Sequence, residues 1–223
     1  MKIAALSLDV DGTLYEPRPV AVRRQARGLR RFLAARERVR AQPPFADGAA
    51  LQARVLELLA DGLRCTPGSA RGLHGRLARA LPGALTGDRG PFPGVRDALL
   101  VAVELGLRLA VFSDYEPVEK LRRLGLADLP WEVVVAGDRL GALKPHRRGF
   151  DAVVAGLRVP PGAILHVGDR EDTDVAGALD AGLRAWRFVR TLPASTRAEH
   201  VFASWTSDLF RRVHDEPIVA ARP

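Results

Sequence analysis

Ile3-Ala4-Ala5-Leu6-Ser7-Leu8 runs directly into Asp9-Val10-Asp11-Gly12-Thr13-Leu14. The first six residues form a short apolar run, which predicts a buried strand. Its end is unusual, because aspartates are poor strand residues. Two carboxylates separated by one residue as they leave a strand can point to the same side. Gly12 lets the backbone turn sharply behind them. Working outward, similar apolar runs recur at 107–112, 133–136 and 164–167, with a weaker one at 184–189. Helical patterns fill the intervals, at 95–105, 116–124, 148–157 and 173–181, the second and fourth stopping at Gly125 and Gly182. Strands alternating with helices of about ten residues predict βαβ units, hence an α/β fold with a Rossmann-like parallel sheet.

Residues 17–91 break this rhythm. They hold no good strand but three helical stretches, at 21–40, 49–61 and 69–80, with breaks read at Pro43-Pro44, Pro67-Gly68 and Pro82-Gly83. Crossovers in α/β units are usually far shorter, so the expected organisation is a core of 1–16 and 92–223 with an inserted all-helical domain over 17–91. The tail adds one extended piece at 200–203 and a short helix at 207–213.

Composition narrows the class. The 223 residues are 47% hydrophobic and 27% charged, an ordinary globular balance. No apolar run approaches the ~18 residues of a membrane span. The N-terminus lacks the long apolar region of a signal peptide, and Cys65 is the only cysteine, so a cytoplasmic protein without disulfides is expected. The net charge is +8, but the arginines are spread along the chain without a block. That favours a solvated basic surface over a nucleic-acid groove. Only Lys2, Lys120 and Lys144 are lysines.

Three further polar clusters follow apolar strands. Ser113-Asp114 closes the second, Lys144-Pro145 follows the third, and Gly168-Asp169-Arg170-Glu171-Asp172-Thr173-Asp174 follows the fourth. Acids ahead of a helix favour its N-terminus, which would account for Asp172 and Asp174 without any ligand. Asp169 sits at the strand tip instead. Clustered carboxylates repel, and a hard divalent cation such as Mg²⁺ resolves that repulsion. All four clusters fall at C-terminal strand ends, where open α/β sheets bind ligands.

These four segments, in this order, resemble the motifs of the haloacid dehalogenase-like (HAD) hydrolase superfamily. The resemblance covers roughly 1–16 and 92–190, and residues 17–91 match in position the helical cap many members insert after the first motif. It implies that Asp9 is a nucleophile forming an aspartyl-phosphate and that Asp11 is the general acid and base. It implies that Ser113 and Lys144 hold the phosphoryl group. Mg²⁺ would be bound by Asp9, the Asp11 backbone carbonyl and Asp169, with Thr13 and Asp174 in support. Because the dehalogenases lack the second acid of the first motif, Asp11 places the resemblance in the phosphatase branch. The implied substrate is a small phosphorylated metabolite. A phosphomutase using the same residues and a non-catalytic binding protein stay open, as does the oligomeric state. Tyr15, Arg18, Arg23, Arg24 and His74 are read as solvent-facing.

Overall fold

The computed structural model describes residues 2–17, 26–86 and 90–211. Its centre is a six-stranded, all-parallel sheet in the order β3-β2-β1-β4-β5-β6. The strands are β1 (Ala5–Leu8), β2 (Arg108–Ser113), β3 (Trp131–Ala136), β4 (Ile164–Gly168), β5 (Arg184–Phe188) and β6 (His200–Phe202). The chain leaves β1 toward β2 and β3 on one side, then returns to place β4 on the other. The crevice at the tips of β1 and β4 is therefore the switch point of the sheet.

Helices cover both faces, so β1 is buried at all four positions. Leu6 and Leu8 pack with α4 (Val95–Glu104) and α5 (Val118–Arg123). Ala5 faces the opposite layer of α6 (Arg147–Leu157) and α7 (Ala176–Asp180). Each fully buried Leu or Phe in these layers contributes about 1.5–3 kcal/mol.

Three helices lie between β1 and α4: α1 (Ala26–Arg40), α2 (Gly48–Leu63) and α3 (Pro67–Thr86). They share a separate apolar cluster that includes Phe32, Leu51, Leu59 and Leu77. Asp47 caps α2 by accepting a hydrogen bond from Ala50 N at 2.8 Å.

Several sequence expectations are corrected. Pro67 opens α3 rather than preceding it, in keeping with proline's tolerance at a first helical position. The same helix continues past Pro82-Gly83 to Thr86, forgoing the one hydrogen bond that proline cannot donate. Residues 207–210 form turns and helical backbone begins at 211; 212 and 213 lie outside the described residues, as does the start of the helix read from 21. The pattern over 173–181 divides into a π turn, Glu171–Val175, followed by α7.

Candidate active site

The sheet register extends one residue beyond β1, with Asp9 N donating to Val167 O at 2.9 Å. This carries Asp9 to the switch point, where it is 5% exposed. Its Oδ1 accepts from Lys144 Nζ at 2.5 Å, and its Oδ2 from Thr13 Oγ1 at 2.9 Å. Behind it, Gly12 adopts φ +90°, and a Cβ there would overlap the Asp169 carboxylate. Only glycine allows β1 and β4 to bring Asp9 and Asp169 this close.

Lys144 is the hub. Its ammonium also contacts Asp174 Oδ1 at 2.6 Å and Phe112 O at 3.2 Å, and its backbone N–H donates to Asp114 Oδ1 at 2.8 Å. Burial opposes its charge, but Asp174, Asp9 and Asp114 together hold its pKa above the ordinary lysine range. The π turn explains how Asp174 reaches it. Asp174 N and Val175 N both donate to Arg170 O at 3.1 Å, while Asp174 Oδ2 accepts from Arg170 N at 3.0 Å. The widened turn folds the carboxylate back over the strand tip. Asp174 is therefore a buried partner of Lys144, whereas Asp172 pairs at the surface with Arg170.

Carboxylate oxygens of Asp9, Asp169 and Asp174 lie within 4.8 Å of one another. Burial pushes Asp9 well above the carboxylate range; Lys144 pulls it back, and Asp174, Asp169 and Asp11 push it up again. Burial and Asp174 lift Asp169 to about 7. Asp174 is held below its ordinary value by Lys144 and His166, against its own burial. Among the described residues, Asp169 has no basic ion-pair partner, unlike Asp9, Asp11 and Asp174. An all-oxygen donor set with one carboxylate short of positive charge fits a hard divalent cation. Both oxygens of Asp9 and both of Asp174 already accept hydrogen bonds, which leaves Asp169 as the acid of the three without an ion-pair partner among the described residues.

Ser113 ends β2, is 1% exposed, and its Oγ accepts from Tyr115 N at 3.3 Å. Asp11 pairs with a different lysine. Its oxygens accept from Tyr15 Oη and from the ammonium of Lys120. Tyr15 is thus buried, at 1% exposure, not solvent-facing. His74 is half-buried beside Phe32, and Arg18, Arg23 and Arg24 lie outside the described residues.

Sequence reading passed over Lys120, Arg36 and Arg40. Lys120 is 2% exposed. Its rarity was the available signal, since two of the three lysines converge on the two aspartates of one motif. Arg40 pairs with Asp114 at 2.8 Å and also donates to Lys144 O. Nothing local in the sequence of α1 foretells that contact.

The haloacid dehalogenase-like hydrolase family matches residues 3–182. The chain belongs to that family. Glyceraldehyde 3-phosphate phosphatase of Pyrococcus abyssi is 37% identical over 95 residues, 41% of this chain and 40% of that one. The chain thus matches less than half the length of that relative. 5-Amino-6-(5-phospho-D-ribitylamino)uracil phosphatase YigB of Escherichia coli is 30% identical over 203 residues, 82% of each chain. Among solved structures, a 2-haloacid dehalogenase from Pseudomonas syringae pv. Tomato DC3000 superposes with TM-score 0.65 at 24% identity, covering 95% of this chain and 97% of its own. A HAD phosphatase from Thermococcus onnurineus gives 0.62 at 21%, covering 98% and 100%. These two likenesses establish the HAD fold. The π turn, the Gly12 turn and the Lys144 hub all lie inside the stretch the family matches. Among the described residues, no helix is long and apolar enough to cross a membrane.

Proposed function

We propose that this HAD protein hydrolyses a phosphoric monoester of a small metabolite through an aspartyl-phosphate on Asp9. The observation that carries the reading is the division of labour between Asp9 and Asp11. They leave one strand two residues apart but meet different lysines, Lys144 and Lys120. Asp9 is buried against the Lys144 ammonium, a cation suited to a phosphoryl group. Asp11, bordering a separate cavity, is placed to serve the leaving oxygen. The phosphatase names of the relatives point the same way.

In this reading the Asp9 carboxylate attacks phosphorus while Asp11 gives a proton to the departing alcohol. Asp11 then takes a proton from the water that cleaves the aspartyl-phosphate. Lys144 and Ser113 hold the phosphoryl oxygens, and Thr13 orients Asp9. Mg²⁺ held by the Asp9 and Asp169 carboxylates and the Asp11 backbone carbonyl would neutralise phosphoryl charge and keep the buried acids ionised. Helices α1–α3 act as a cap over the site.

Asp9→Asn tests this. It should abolish turnover of 4-nitrophenyl phosphate with the circular dichroism spectrum unchanged, and excess EDTA should silence the wild type until Mg²⁺ is restored. Wild-type turnover by the variant would refute the nucleophile; full activity in EDTA would refute the cation.

A further inference from the structure

A cavity of about 350 Å³ opens beside Asp11, between the three helices and the sheet tips. Its walls are apolar: Leu29, Phe32 and Leu33 from α1, Ala78 and Leu81 from α3. Leu33 is 45% exposed, a large apolar side chain left uncovered at this wall. Lys120 and Asp11 also line the space. If Asp11 protonates the leaving oxygen, whatever that oxygen carries has this space to occupy.

The polar groups around the cavity are incompletely paired. Arg36 is 2% exposed, stacks 3.2 Å from the Tyr115 ring centroid and donates from Nη2 to Asp114 O at 3.2 Å. Among the described residues its Nε has no partner, and neither do Gln52 Oε1 and Asp138 Oδ1. All three residues line this cavity. Buried polar atoms are normally satisfied, so one orphan donor and two orphan acceptors on residues that line one space favour a ligand edge that supplies the complement as those side chains turn toward it. His74, also on the lining, is held below its ordinary pKa by burial and by Arg36, and so adds no positive charge to those of Arg36 and Lys120.

A three-carbon chain would leave most of the volume unfilled and set its hydroxyls against leucines and Phe32. A ring places apolar faces on those walls and polar groups only at its edge. We propose that this cavity takes the alcohol half of the substrate, and that this alcohol carries a ring with apolar faces and an edge of carbonyl and N–H groups. The inference rests on the hydrolase reading above. The bond broken joins phosphorus to the ring-bearing alcohol. Its oxygen receives the Asp11 proton, and the phosphoryl group passes to Asp9 and then to water.

The test compares kcat/KM of the full chain, with Mg²⁺, on thymidine 5′-monophosphate, glyceraldehyde 3-phosphate and acetyl phosphate. The ring-bearing ester should exceed glyceraldehyde 3-phosphate at least tenfold. Turnover of acetyl phosphate with no such preference overturns the ring proposal alone; turnover of none of the three overturns the hydrolase reading beneath it. Ala78→Phe narrows the cavity from an exposed helix face, and Arg36→Met removes the orphan donor. Each should lower the ratio of thymidine 5′-monophosphate to acetyl phosphate at least fivefold. If Arg36→Met does not fold, Ala78→Phe decides, and an unchanged ratio there rejects the assignment.

Discussion

Asp169 concentrates the conflict between stability and function. Its carboxyl keeps a proton up to about pH 7 in the folded chain, against an ordinary 3.8. Between those values the folded state binds more protons than the unfolded one, so this group's contribution to stability falls as pH rises. Asp169→Asn should therefore raise the melting temperature at pH 8 in EDTA by a few degrees. Mg²⁺ should raise the wild-type value but not the variant's. A variant less stable than wild type under those conditions would contradict the argument. Asp11 carries the opposite cost. Lys120 is almost fully buried and its charge faces Asp11, so Asp11→Ala strands an ammonium in the interior. Asp11 is partly exposed, which reduces the penalty to about 2 kcal/mol, below the usual cost of breaking a buried pair. Adding Lys120→Met should recover most of that loss in urea unfolding without recovering activity. Equal destabilisation of single and double variants would show the pair to be unimportant.

At the scale of elements, close backbone approach sets the geometry. Gly149 in α6 lies against the Phe112 ring of β2, and a Cβ there would overlap the ring. Phe112 and Phe150 meet edge-to-face at 4.9 Å, and Phe112 O contacts Lys144 Nζ. Gly149→Ala should cost about 1–3 kcal/mol, since an overpacked core must shift side chains or backbone. It should also lower activity, because the displaced strand carries Ser113. A urea midpoint and kcat both unchanged would mean that α6 yields freely. The π turn belongs to this scale too. Its acids read as the ordinary charged start of a helix, yet the turn aims one of them, Asp174, inward at Lys144.

Across the whole molecule, the helices α1–α3 own one apolar cluster and the sheet owns two, with Leu143 and Tyr115 joining the helical one from the core. Arg40 bridges these bodies through Asp114. Arg40→Met should raise hydrogen exchange in α1 and α2 while leaving β1 and β4 protected; unchanged exchange in α1 would show the bridge to be dispensable. The parallel sheet, the helical stretch after β1 and the acids at the strand ends were legible in order along the chain. Apolar period, breaker residues and acids at strand ends are local consequences of how each segment is solvated. The roles of Lys120, Tyr15, Arg36 and Arg40 were not, and neither was the course of α3 through Pro82. Lys120, Arg36 and Arg40 depend on partners about 75 to 110 residues distant, Tyr15 and α3 on packing that outweighs a local preference, and a charge reveals its counterion only once the fold has excluded water from between them. Sequence alone therefore determined which strands end in acids. The tertiary structure decided which lysine each acid meets, because ion pairing in a buried site is fixed by three-dimensional position and desolvation.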